Sequence, residues 1–95
     1  MVAYAVFIRD RLRDPEGMQA YLDAVGPTFE GYQATRLAGP GPFEVLEGAA
    51  MDSVVLTQFP SMELARAWYD SPAYREVRRL RHLAGDYRAF IVEGA

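Results

Sequence analysis

The chain has no cysteine, no lysine, no asparagine and one histidine, His82. Without cysteine there is no disulfide framework, no thiolate nucleophile and no sulfur ligand for a metal. A single histidine with no cysteine gives too few soft ligands for an ordinary zinc site, so neither a metal nor another cofactor is expected. The missing asparagine rules out an asparagine-based oxyanion hole and a haem-contacting asparagine. All ten lysine-class positions are arginine. That bias suits bidentate contacts with anions, but codon usage in a GC-rich genome is the stronger explanation. No apolar run approaches the roughly 20 residues of a membrane helix. Met1–Ile8 lacks the basic start of a secretion signal and runs into charged Arg9–Arg13, so a soluble, cytoplasmic protein is expected. The formal net charge of −3 disfavours nucleic acid and anionic membranes as partners.

What is present is a 95-residue chain, one domain over residues 1–95, in which 51% of residues are hydrophobic. That composition excludes disorder, but a domain this small buries too little surface for comfort on its own. Two of its expected strands have no polar side. In Val2–Arg9 one parity reads Val2, Tyr4, Val6, Ile8 and the other Ala3, Ala5, Phe7. In Ser53–Phe59 the parities are Val54, Leu56, Gln58 and Val55, Thr57, Phe59. A strand that does not alternate is covered on both faces. Three helical segments can cover one face, and a second copy of the sheet is the economical cover for the other.

The remaining elements follow from local signals. Asp14-Pro15-Glu16 starts a helix that runs to about Gly31, with Met18, Tyr21, Leu22 and Val25 at helical spacing and Gly26-Pro27 as a kink site. Gln33–Ala38 and Phe43–Glu47 read as short strands around the turn Gly39-Pro40-Gly41-Pro42. Ser61 and then Ser71-Pro72 cap two consecutive helices, the second over Pro72–Ala84, where Tyr74, Val77 and Leu80 or Leu83 face inward. Gly85 ends it, and Tyr87–Glu93 is the last strand. This order predicts an α+β ferredoxin-like sandwich: a four-stranded antiparallel sheet with helices on one face, pairing through its open face as a dimeric α+β barrel.

Candidate chemistry is sparse, and each candidate has two readings. His82 shares a helical stripe with Arg75, Arg78 and Arg79. It is a weak candidate for a catalytic base or anion-binding group, and otherwise part of a solvated face at a helix C-terminus. Tyr4, Trp68, Tyr69 and Tyr74 belong to an aromatic set that either lines a pocket for a flat organic ligand or fills core and interface. Arg36 and Arg88 lie on strands, either clamping a carboxylate or protecting an edge. Glu44 and Glu47 do not form an acid/base pair. Gly39-Pro40-Gly41 lacks the third glycine and the helix of a phosphate loop. Val6-Phe7-Ile8-Arg9 looks like part of an RNA-binding strand motif, but Ser53–Phe59 lacks the glycine and stacked aromatics of its partner.

The run Phe59-Pro60-Ser61-Met62-Glu63-Leu64-Ala65-Arg66-Ala67-Trp68-Tyr69-Asp70-Ser71-Pro72-Ala73-Tyr74 resembles the signature of domain of unknown function family 1330. Asp14-Pro15-Glu16, Phe43-Glu44-Val45-Leu46-Glu47-Gly48 and Ile91-Val92-Glu93-Gly94 fit the same pattern, so the resemblance spans essentially the whole chain. It implies a dimeric α+β barrel and no particular reaction. The family often has an arginine directly before the glycine turn, whereas here Ala38 stands there and the arginine is Arg36. The wider barrel group includes cofactor-independent monooxygenases, isomerases, dehalogenases and haem-degrading enzymes, and fold alone transfers none of these activities. Two readings follow. One is a small cofactor-independent enzyme acting on an apolar or aromatic metabolite, with a pocket between sheet and helices lined by Tyr4, Trp68 and Tyr74 and served by Arg36 or His82. The other is a homodimer that binds a small ligand, or is purely structural, without catalysis.

Overall fold

The computed structural model describes every residue from Met1 to Ala95. Its elements are β1 (Ala3–Leu12), α1 (Pro15–Val25), a 3₁₀ turn (Gly26–Phe29), β2 (Thr35–Ala38), β3 (Ser53–Phe59), α2 (Met62–Asp70), α3 (Pro72–Ala84) and β4 (Gly85–Glu93). The strands form one antiparallel sheet in the order β2-β3-β1-β4. This is the expected ferredoxin-like α+β arrangement.

Local chemistry explains most element ends. The Ser61 hydroxyl accepts the Leu64 N–H at 3.1 Å and starts α2. Ser71 serves two helices at once, donating to the Trp68 carbonyl at 2.7 Å and accepting from the Tyr74 N–H at 3.2 Å. Such caps satisfy backbone groups that the helix itself leaves unpaired. Gly85 lets α3 pass straight into β4, because a Cβ there would lie 2.9 Å from the Arg11 carbonyl oxygen.

Three sequence expectations need correction. The first helix does not run to Gly31 as one element; the α-helix stops at Val25 and tightens into the 3₁₀ turn, where the Thr28 hydroxyl donates to the Val25 carbonyl at 2.5 Å. Phe43–Glu47 is not a strand. Every residue from Pro40 to Ala50 is exposed, so an extended segment there would bury nothing, and its prolines withhold backbone donors. The β2 strand is also shorter than Gln33–Ala38, because Gln33 adopts φ 55°, outside the extended region.

Register separates the two faces of the sheet. Ala5 lies opposite Thr57 and Ile91, and Val6 lies opposite Leu56 and Phe90. Ala3, Ala5, Phe7 and Phe59 are buried beneath the helices. Tyr4, Val6, Ile8, Val54, Leu56, Phe90 and Val92 fall on the opposite parity, over which no element of the chain lies. Phe90 is 51% exposed and Val92 46% exposed, despite their positions on a sheet face. A contiguous apolar face of this kind marks an association surface. Sedimentation should therefore show a dimer for the wild-type chain, and a monomer with an unchanged helical circular-dichroism signal for Val6→Asp. A monomeric wild-type chain at tens of micromolar would refute a second copy as the cover.

Candidate functional site

The helix side of the sheet is organised around one indole. Trp68 stacks on Phe29 with ring centroids 4.7 Å apart and planes 14° from parallel. It also lies 4.0 Å from the Tyr74 ring and 5.5 Å from Phe59, with Phe7 edge-on at 6.1 Å. Its N–H donates to the Thr28 hydroxyl at 3.0 Å, so the one polar atom of the indole is satisfied. Next to it the Tyr21 and Tyr74 hydroxyls share a hydrogen bond of 2.9 Å. Burial pushes the Tyr21 phenol far above its ordinary value, and the neighbouring Tyr74 adds to the shift.

Beside this cluster a cleft of about 310 Å³ opens between α1 and the sheet. Its apolar walls include Phe7, Met18, Val25, Phe29, Val55 and Trp68. Its polar groups are Gln19, Ser53, Thr57, Tyr21, Tyr87 and the three arginines Arg9, Arg36 and Arg81. No aspartate or glutamate lines it. A larger hollow of about 850 Å³ lies under α2 at the β4 edge, where the one cation, Arg66, is already paired with Asp70 at 2.7 Å. The smaller cleft is the better-formed candidate, combining apolar walls with convergent polar groups.

Arg81 is the unusual residue. It is only 2% exposed, yet it forms no ion pair. Its Nε donates to the Tyr74 hydroxyl at 3.3 Å, and a terminal nitrogen lies 3.2 Å from His82 Nε2. The guanidinium sits 5.0 Å from the Phe7 ring centre and 4.8 Å from that of Tyr87. Burying one ion costs several kcal/mol in a folded protein. Each ring contact returns roughly 0.5–2 kcal/mol, so the charge is not fully compensated. By contrast Arg9 is neutralised by Asp52, which also accepts the Leu12 N–H.

The structure distributes the sequence candidates among several places. Trp68 and Arg36 line the cleft. Tyr74 is fully enclosed behind it, 0% exposed, and reaches the cleft only through its hydrogen bond to Arg81. Tyr4 and Arg88 are on the open sheet face, and Arg88 makes a two-pronged ion pair with Asp10 at 2.8 and 2.9 Å. Tyr69 is half-buried on α2, with the Arg78 guanidinium 4.4 Å over its ring. His82 is exposed and borders a shallow hollow with Tyr69, Arg81, Asp86 and Tyr87. The pocket grouping of Tyr4 with Trp68 is thus split by the sheet. Sequence reasoning missed Arg81 and Arg9 as cleft residues. The signal for Arg81 was its spacing, seven residues after Tyr74 and therefore on the same inward helix face.

His82 is held below its ordinary value, by partial burial first and then by the positive charges of Arg81 and Arg78. To accept from Arg81, its Nε2 must be unprotonated. The folded chain therefore binds less proton than the unfolded chain just below about pH 6.5. Stability is lost as pH falls from that value through the folded pKa of His82. Proton NMR should place the His82 titration below that of a free histidine, and Arg78→Gln should raise it. The stability of wild type relative to His82→Gln should fall as pH drops below about 6.5 and be independent of pH above about 7. A normal midpoint unmoved by Arg78→Gln would contradict the neighbouring-charge cause.

The fold and cleft can be set beside known proteins. A protein of unknown function from Rhodopseudomonas palustris superposes with a TM-score of 0.74 at 25% identity, covering 99% of this chain and 82% of that one. A dimeric ferredoxin-like protein of unknown function from Thermobifida fusca gives a TM-score of 0.68 at 16% identity, covering 99% and 92%. SnoaB, a cofactor-independent oxygenase from Streptomyces nogalater, gives a TM-score of 0.59 at 8% identity, also covering 99% and 92%. The last two show likeness of fold alone. No protein of curated function matches the chain. A family model covers residues 2–95, and on that match the chain belongs to the domain of unknown function family DUF1330.

Proposed function

We propose that this protein is a homodimer that binds a compact, largely apolar or aromatic small molecule in the cleft between α1 and the sheet. The carrying observation is that cleft, about 310 Å³, walled by Trp68, Phe29 and Phe7 and furnished with a few converging polar groups. Small-molecule sites have this combination of mostly apolar lining and few polar contacts, at volumes of roughly 300–1,000 Å³. The volume is at the lower end, which suits one ring with a short substituent. The uncovered apolar sheet face supports pairing of two copies, as does the dimeric state of the Thermobifida fusca neighbour.

Binding is favoured over catalysis by the titratable lining. The side chains of Tyr21 and Tyr87 are both pushed up, chiefly by burial, and His82 does not line the cleft. No side chain in contact with the cleft is therefore poised as a general base near neutral pH. A cofactor-independent, monooxygenase- or isomerase-like enzyme is the second reading, supported by the fold it shares with SnoaB. In that reading the substrate supplies its own acidity, and the cleft arginines stabilise the resulting anion.

Native mass spectrometry of freshly purified protein should show a dimer carrying a small added mass. Val55→Phe, which fills the cleft from β3, should remain dimeric and lose that mass. Emission from Trp68, the only tryptophan, should respond to ligand in the wild type and not in the filled variant. An adduct that persists in Val55→Phe would move the site elsewhere. A bare dimer with unresponsive Trp68 would sink the reading.

A further inference from the structure

We infer that the ligand of the α1–sheet cleft is an organic carboxylate, its anionic group seated against Arg81 and Arg36 and its apolar body lying against Phe29 and Val55. The inference rests on the cleft being a ligand site and names the chemical class that the site selects.

Charge is the first ground. The whole chain is acidic, at net −3. Yet the cleft is lined by three arginines and no carboxylate. The carboxylate beside the cleft arginine Arg9 is already engaged: Asp52 holds Arg9 and the Leu12 N–H. Neither Arg36 nor Arg81 has an anionic partner. A local excess of positive charge in a low-dielectric cleft concentrates anions from solution.

Burial is the second. Charged side chains are almost never fully buried without a partner, and Arg81 is 2% exposed without one. Its surroundings fix its direction. Phe7 and Tyr87 hold the guanidinium from the sheet side, and the Tyr74 hydroxyl orients Nε. The Tyr74 hydroxyl is in turn fixed by Tyr21. The group is thus preorganised, with donor capacity beyond the two hydrogen bonds it makes. A planar carboxylate matches the guanidinium fork, and the pairing is strongest where water is excluded.

Geometry of the walls is the third. Arg36 lies opposite Thr57 in the sheet and shares the helix-side parity, so it approaches the cleft from β2 while Arg81 approaches from α3. Phe29 and Val55, both only partly buried, line the same cleft. An acid with one ring and a short spacer satisfies the charges and the apolar wall together.

The test compares benzoate, phenylacetate and 3-phenylpropionate with their primary amides, using the full-length dimer and NMR of backbone amides and arginine Nε–H groups. At least one acid should shift Arg81 Nε–H and bind at least tenfold more tightly than its amide. Arg81→Met should erase that preference while leaving the unliganded melting temperature unchanged or raised, since it removes a buried unpaired charge. Arg36→Gln, at an exposed position, should weaken the acid severalfold without altering the fold. If amides bind as well as acids, the charge inference fails and the ligand cleft stands. Acids that shift only the exposed Arg75 and Arg79 overturn it as well. So does an Arg81→Met chain that no longer folds, because Arg81 is then a structural cation. If neither acid nor amide perturbs any cleft residue, the cleft reading fails with it.

Discussion

The Trp68 indole is the contact through which every layer of this domain is held in place. It belongs to α2, touches Phe7 of β1 and Phe59 of β3, stacks on Phe29 of the 3₁₀ turn, and meets Tyr74 of α3. Its hydrogen bond to Thr28 fixes its rotation. Truncating such a residue removes roughly 3–5 kcal/mol, a large share of the roughly 5–15 kcal/mol that a domain possesses. The cleft depends on it too, because Trp68 is a wall of the cleft and a support for Tyr74, which positions Arg81. Packing and site are therefore not separable here, and α2 contributes to the site through one residue.

The architecture was legible because its signals are local and repeated. Serines before Pro72 and Met62 announce helix starts, and the two-sided strands announce a sheet covered twice. The family signature around Trp68 agreed. What failed had a physical cause in each case. Phe43–Glu47 has strand-forming residues, but strand formation is decided by partners, and no sheet edge receives it. The site was harder to read. Strand parity alone put Tyr4 and Trp68 in reach of one another only if their faces were known, and the register sets them on opposite sides. Arg81 was hidden by its own chemistry. At an inward helix position a leucine is expected, so Leu80 and Leu83 drew the assignment, yet Leu83 is 71% exposed. An arginine placed where a core leucine belongs is a departure from local consistency, and such departures concentrate at functional sites.

The two faces of the sheet divide the chemistry. The open face is apolar apart from its ends, where Arg88 and Asp10 neutralise each other. The helix face holds the uncompensated charge, enclosed by rings. Under the proposed function, association and recognition fall on opposite faces of the same strands. From Ala3 to Arg9 a substitution on β1 affects one or the other according to whether its residue number is even or odd; past the bulge between Arg9 and Arg11 the parity reverses, and Leu12 lines the cleft.

That same β1 strand has a consequence for how the chain is made. Among the elements of this domain it is made first, and it is an inner strand of the finished sheet, paired with both β3 and β4. Ala3 finds one neighbour at Phe59 and the other only at Glu93. A strand apolar on both sides therefore has no sheet partner until β3 has been made, and lacks its second until β4 has. Sheets closed by distant pairings form slowly, and an exposed apolar strand invites contact with other nascent chains. The segment most able to aggregate is therefore exposed earliest and satisfied last, which makes the interval before β4 leaves the ribosome the vulnerable period in this protein's life.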